Sequence, residues 1–214
     1  MSLVSLSGPN QDSSLAPPSS TATATATAPL QQEEGLYLTD REFSRLMVDI
    51  GQGLRADDDW KARIHALQKL QQISRGNGKE MDGFVSQVKG IQELIAAQVT
   101  DLRSVLSKEA CKTVAIMAWA LRSQFAPLAE LWWPSLLKLV VVKIQVISLS
   151  ADKAIRCLLA SSSGADSKLL NLVTDSCHSK NSSLRKFSFE YLAMVCAMWR
   201  AEFLDRHAPL LKGK

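Results

Sequence analysis

The residues best suited to chemistry are scattered. Cys111, Cys157, Cys177 and Cys196 form no C-x-x-C pair, and no His pair lies within a helical turn of them, as a zinc or redox site would need. Each sits among apolar residues, so all four read as small buried hydrophobes in a reducing, signal-peptide-free setting. His65, His178 and His207 have no acid or nucleophile to work with. A phosphate-binding glycine loop and a nucleophile elbow are both missing. The sequence therefore reads as non-enzymatic, with no cofactor and no metal, and its chemistry is that of a binding surface.

Two features suit binding. In RADDDWKARIHALQKL, three aspartates precede Trp60, and Trp60, Ile64, Leu67 and Leu70 then recur at helical spacing. The acids cap a helix start and favour its positive dipole end. Trp60 is either the top of a buried stripe or a bulky group offered to a partner at a helix end. The second feature is charge. Residues 1–35 carry −3 and the remainder +7, a moderately basic body that favours acidic protein surfaces. Dense basic runs of a nucleic-acid binder are missing, so no nucleic-acid partner is expected. Ala110–Leu121 is too short to span a bilayer and is interrupted by Lys112 and Thr113, so no membrane insertion is expected.

The elements that must carry these residues are helices. Residues 1–35, rich in Ser, Thr, Pro and Ala, have little to bury and read as a disordered tail. Order is expected to begin at LTDREFSRLM, where Thr39 and Glu42 make a capping box and Leu38 and Phe43 a hydrophobic staple. Phe43, Leu46, Met47, Ile50 and Leu54 form a first amphipathic helix. The Trp60 helix follows and closes near Gly76 and Gly78. A third carries Phe84, Val85, Val88, Ile91 and Ile95, and a fourth Leu102, Leu106, Ala110, Val114, Met117 and Leu121. Pro127 and Pro134 punctuate the start of a fifth through Leu136, Leu137 and Val140. A sixth spans about 146–159, a seventh carries Leu169, Leu170 and Val173, and SSLRKFSFEYLAMVCAMW is the eighth. VVVKIQVI, 140–147, is read as a helix end and turn.

WKARIHALQKLQQI (60–73), SVLSKEACKTVAIM (104–117) and SLRKFSFEYLAMV (183–195) share an inner stripe, with Phe189, Leu192 and Val195 in the last. A hairpin recurring at roughly 40 residues predicts an all-α solenoid of HEAT-type repeats, about four of them, over 36–214. Arg63 and Arg185 occupy matching positions and can pair with acids such as Asp58, Asp59 or Asp175. Trp132, Trp133 and Trp199 are expected as core or inter-repeat wedges.

Three motifs in order, DDDWKARIHALQKL, TDLRSVLSKEACKTVAIMA and SKNSSLRKFSFEYLAMV, resemble a TOG domain of the CLASP family over about Glu42 to Phe203. The resemblance implies a HEAT-repeat paddle that binds tubulin and microtubules through the turns within its repeats, in the cytoplasm, on the cytoskeleton of spindle or cilium. It implies Trp60 as the first-turn contact, Arg103 with Thr100 beside it in the second, Lys143 in the third, and Lys180 and Arg185 in the fourth. A HEAT scaffold for another protein partner, or a ciliary protein with several TOG domains, are the alternatives. The family's domain has six repeats, so the chain is expected to be C-terminally incomplete. Pro209 in HAPLLKGK resembles the opening of another first helix, and AEFLDRHAPLLKGK is too short to cap the stack. An uncapped eighth helix, apolar on much of its circumference, is expected to favour self-association.

Overall fold

The computed structural model describes residues 34–211 except 163 and 165, so residues 1–33 of the expected 1–35 tail lie outside the described residues. No strand is present among the described residues, and the chain is an all-α stack of helical hairpins. The helices are α1 (Asp40–Leu54), α2 (Trp60–Arg75), α3 (Phe84–Gly90), α4 (Gln92–Val99), α5 (Ser104–Leu121), α6 (Ala126–Val140), α7 (Gln145–Ser161), α8 (Ser167–Ser176), α9 (Ser182–Met198), α10 (Ala201–Arg206) and α11 (Ala208–Leu211).

Two layers form from this order. One holds α1, α4, α6 and α8; the other holds α2, α5, α7 and α9. In the second layer α5 packs between α2 and α7, and α7 packs in turn on α9. That sandwich explains why α5 is apolar on most of its circumference, with Ala110, Cys111, Val114, Ala115, Met117 and Ala118 all buried. The four hairpins are α1–α2, α4–α5, α6–α7 and α8–α9, matching the expected four repeats.

Local chemistry sets the boundaries. The capping box at α1 is formed: Glu42 N–H donates to Thr39 Oγ1 and Thr39 N–H donates to the Glu42 carboxylate, 3.4 and 2.9 Å. The Thr39 N–H and hydroxyl, both donating to the carboxylate, hold the Glu42 carboxyl below its ordinary range. The chain is already anchored ahead of that box. Leu36 N–H donates to Gln72 O and Leu38 N–H to Asn77 Oδ1, both at 2.9 Å, against the end of α2. The approach is so close that a β-carbon on Gly76 would collide with the Leu36 carbonyl.

Indole groups tie successive repeats together. Trp132 Nε1 donates to Gln92 O in the preceding repeat, and Trp133 Nε1 donates to Ser176 Oγ in the following one, each at 3.2 Å. Trp199 Nε1 donates to Leu159 O at 3.1 Å. All three rings are buried, as expected of inter-repeat wedges. Polar side chains add a second set of links between inner helices. Gln71 reaches Glu109 and Thr113, and Tyr191 donates to Asp152 while Arg156 bridges Asp152 and Glu190.

Several expectations need correction. The third helix is two, because the chain turns at Gly90–Ile91 between α3 and α4. Pro134 lies inside α6 rather than at its start, and buried Trp132, Trp133, Leu136 and Leu137 keep the helix packed around it. Leu102 and Phe189 are not on buried stripes: both are exposed. Cys196 is exposed and Cys157 half-buried, so only Cys111 and Cys177 are buried hydrophobes. After α9 the chain turns at Trp199 and folds back, with Phe203 buried and α11 packed on α8. AEFLDRHAPLL therefore covers part of the last repeat's outer helix, which the sequence reading did not foresee.

Candidate partner-binding edge

Each hairpin runs from the C-terminus of an outer helix to the N-terminus of an inner one. The four turns, 55–59, 100–103, 141–144 and 177–181, therefore fall along one edge of the stack. The first two are locked together. Arg63, from the first turn of α2, donates through Nη1 to Gln98 Oε1 and Asp101 Oδ2, both at 3.1 Å, and through Nη2 to Asp57 O at 3.4 Å. Gln98 Nε2 reaches back to Leu54 O at 3.3 Å. Arg63 thus pairs with Asp101 of the next repeat and not with Asp58 or Asp59, because its side chain points across the layer instead of along its own cap.

In the first turn Asp59 Oδ1 accepts from the Lys61 and Ala62 N–H groups at 2.9 and 3.0 Å and starts α2. Trp60, the first helical residue, is 37% exposed, so it is anchored on one side and open on the other. Lys61 Nζ sits 5.9 Å from its ring centre. Trp60, Lys61, Ile64, His65 and Gln68 line a shallow surface depression.

In the second turn Thr100 is exposed, and its hydroxyl donates to Ala96 O at 3.1 Å. Asp101 Oδ1 accepts the Arg103 N–H at 2.7 Å, which delays the start of α5 until Ser104. That delay leaves Leu102 outside the helix and 95% exposed. Arg103 projects beside it, with Nη1 at 3.6 Å from Asp101.

In the third turn Lys143 is exposed and has no acidic partner among the described residues, and Ile144 next to it is about half exposed. In the fourth, Lys180 is exposed. Arg185 is half-buried and donates through Nη1 to Ser179 O and Lys180 O, 2.8 and 3.0 Å. Arg185 therefore braces the turn that presents Lys180, in place of the ion pair with Asp175. Asn181 caps α9 by accepting the Leu184 N–H at 3.1 Å.

The six residues singled out from sequence thus lie in or beside the four turns. Leu102 and Ile144 were missed as edge residues. The signal for Leu102 was the capping aspartate immediately before it. The edge carries a flat aromatic, two aliphatic side chains and three projecting cations. Such a surface can bury apolar area and pair with carboxylates.

The CLASP N-terminal family model matches residues 40–210, which is α1 through to α11 and includes all four turns. This chain belongs to the CLASP N-terminal family. A protein of Dictyostelium discoideum is 34% identical over 160 residues, 74% of this chain and 19% of that protein. CLIP-associating protein 1 of Xenopus tropicalis is 28% identical over 153 residues, 72% of this chain and 10% of that protein. CLIP-associated protein of Arabidopsis thaliana is 28% identical over 162 residues, 75% of this chain and 11% of that protein. The chain thus spans 10 to 19% of the length of these curated relatives. Among the described residues no helix is long and apolar enough to cross a membrane.

Proposed function

We propose that this member of the CLASP N-terminal family is a non-catalytic tubulin-binding module that acts on the microtubule cytoskeleton. The observation that carries the reading is the co-location of Trp60, Leu102 and Ile144 with Arg103, Lys143 and Lys180 on the edge of successive turns. The stack is joined between repeats by Trp132, Trp133, Trp199 and Arg63, so the edge behaves as a rigid ruler. A rigid edge fits one curvature of an elongated partner better than another. Its binding energy then biases the partner toward that state. Trp60 supplies contact area at low rotamer cost, and the cations face an acidic surface. Thr100 adds a contact beside Arg103.

The test is co-elution of the full chain with soluble tubulin by size exclusion at low and moderate salt. A stable complex that weakens with salt and is lost in Trp60→Ala is expected. The variant should unfold near the wild-type temperature, since the ring is partly open. Failure to co-elute at either salt would reject the reading.

A further inference from the structure

Twelve large apolar side chains are exposed among the described residues, and five of them, Leu102, Val105, Ile144, Val146 and Leu149, lie just ahead of or within the first turns of the neighbouring helices α5 and α7. Single exposed aliphatics are ordinary, but a cluster of this kind marks a contact surface. Leu102 and Ile144 belong to the second and third turns, whereas the other three lie beyond the edge. Val105 is the second residue of α5 and Val146 the second of α7, so they stand level on neighbouring inner helices.

The outward faces of α5 and α7 repeat one pattern. On α5, Val105, Lys108 and Lys112 follow at i, i+3 and i+7; on α7, Val146, Leu149 and Lys153 do the same. The acids nearby are all engaged. Asp101 is held by Arg63, Glu109 by Gln71 and Lys112, and Asp152 by Arg156 and Tyr191. Lys108, Lys143 and Lys153 are exposed and have no carboxylate within ion-pair distance among the described residues. The patch is therefore apolar at its centre and carries uncompensated positive charge at its rim.

We infer that the tubulin contact turns the corner from the edge onto the outward face of α5 and α7. There Val105, Val146 and Leu149 receive an apolar segment of tubulin flanked by carboxylates, which pair with Lys108 and Lys153. This inference rests on the tubulin-binding reading and extends the contact to residues that the turns do not contain. Charge complementarity selects the occupant, because a basic or wholly apolar segment would leave the lysine rim unpaired.

Tubulin affinity of the full chain tests it, with three variants beside the wild type: Val146→Ser with Leu149→Ser, Lys108→Glu with Lys153→Glu, and Trp60→Ala. The serine pair is expected to weaken binding about tenfold, with a small change in thermal midpoint because both side chains are about half exposed. The glutamate pair should weaken it at low salt, the difference shrinking as salt screens it. Should the serine pair misfold, the glutamate pair, on exposed lysines, decides alone. If both pairs bind like wild type while Trp60→Ala weakens binding, the contact stays on the edge and the inference is wrong. If the wild type itself fails to bind tubulin, the proposed function falls first and takes this extension with it.

Discussion

Arg63→Met removes the guanidinium that joins the first two turns while keeping most of the aliphatic stem. Its side chain and that of Asp101 are 9% and 13% exposed, so the pair is largely shielded from solvent. The substitution deletes the donors to Gln98, Asp101 and the Asp57 carbonyl. Breaking a buried pair by removing one partner costs about 3–5 kcal/mol. Two observations place this site below the top of that range. Asp101 keeps the Arg103 N–H at 2.7 Å and has the Arg103 guanidinium at 3.6 Å. Arg63 Nε is buried without a partner in the protein, a cost that the substitution relieves. A loss of about 2–4 kcal/mol is expected, with a fall in unfolding temperature of roughly 5–15 °C for a domain of this size. Urea unfolding with an unchanged m-value measures it. A double-mutant cycle with Asp101→Asn should give a coupling of at least about 1.5 kcal/mol. A loss under about 1 kcal/mol, or a coupling near zero, would refute the view that this pair locks the turns.

Thiol labelling should separate the cysteines: exposed Cys196 reacts at once at pH 8, whereas Cys111, its thiol pushed up to about 12 by burial, labels only when the chain unfolds. The same burial makes stability fall at alkaline pH. Between the unfolded thiol value near 9.0 and the raised folded one, the unfolded state has released a proton that the native state keeps, so rising pH favours unfolding. Tyr191, raised first by burial and then by the neighbouring Asp152, adds to the trend above the ordinary phenol value of 10.0; a flat stability profile from pH 8 to 11 would contradict both. Finally, Phe189 and Cys196 are exposed and Leu192 is half-buried on the flank of α9 turned away from its Glu190–Arg156 bridge to α7. Light scattering should show concentration-dependent association that Phe189→Glu suppresses, and a monomer over a wide concentration range would count against that reading.

Periodicity made the helices legible, because it reports burial. Ile50, Leu67, Leu70, Ile95, Val114 and Ile155 recur at the spacing of one buried face, and each is fully buried. The same rule misplaced Leu102, whose four-residue spacing to Leu106 is right for a stripe. Asp101 overrides it by capping the Arg103 N–H and starting α5 only at Ser104. Phe189 failed for a different reason. Its stripe partners Leu192 and Val195 are half-buried and buried, but Phe189 lies on the α9 flank facing away from the core made by Ser188, Tyr191 and Val195. Which flank of an inner helix is covered depends on how many neighbours it has, and that is a property of the stack rather than of the helix. Arg63 was legible as a structural arginine, yet its partner was not, because Asp101 lies 38 residues away and becomes adjacent only when repeats stack.

The residues of the candidate edge share a trait that explains why two of them, Leu102 and Ile144, escaped a reading based on period. The exposed edge is built mostly from side chains that break the pattern, since most residues in phase with their helix are buried by the next repeat. Trp60 could be suspected because three acids announced the helix start at its door, and the cations because charge marks exposure by itself. Ile144 carries neither signal, and Leu102 only the capping Asp101 just before it. Both become plain once the helix starts at Ser104 and Gln145 are known, which leave Leu102 almost fully exposed and Ile144 about half exposed in a turn. In a stack of hairpins, an apolar residue standing just ahead of an inner helix is thus better evidence of a partner than most residues within the stripe, and Leu102, at 95% exposed, is the strongest instance among the described residues.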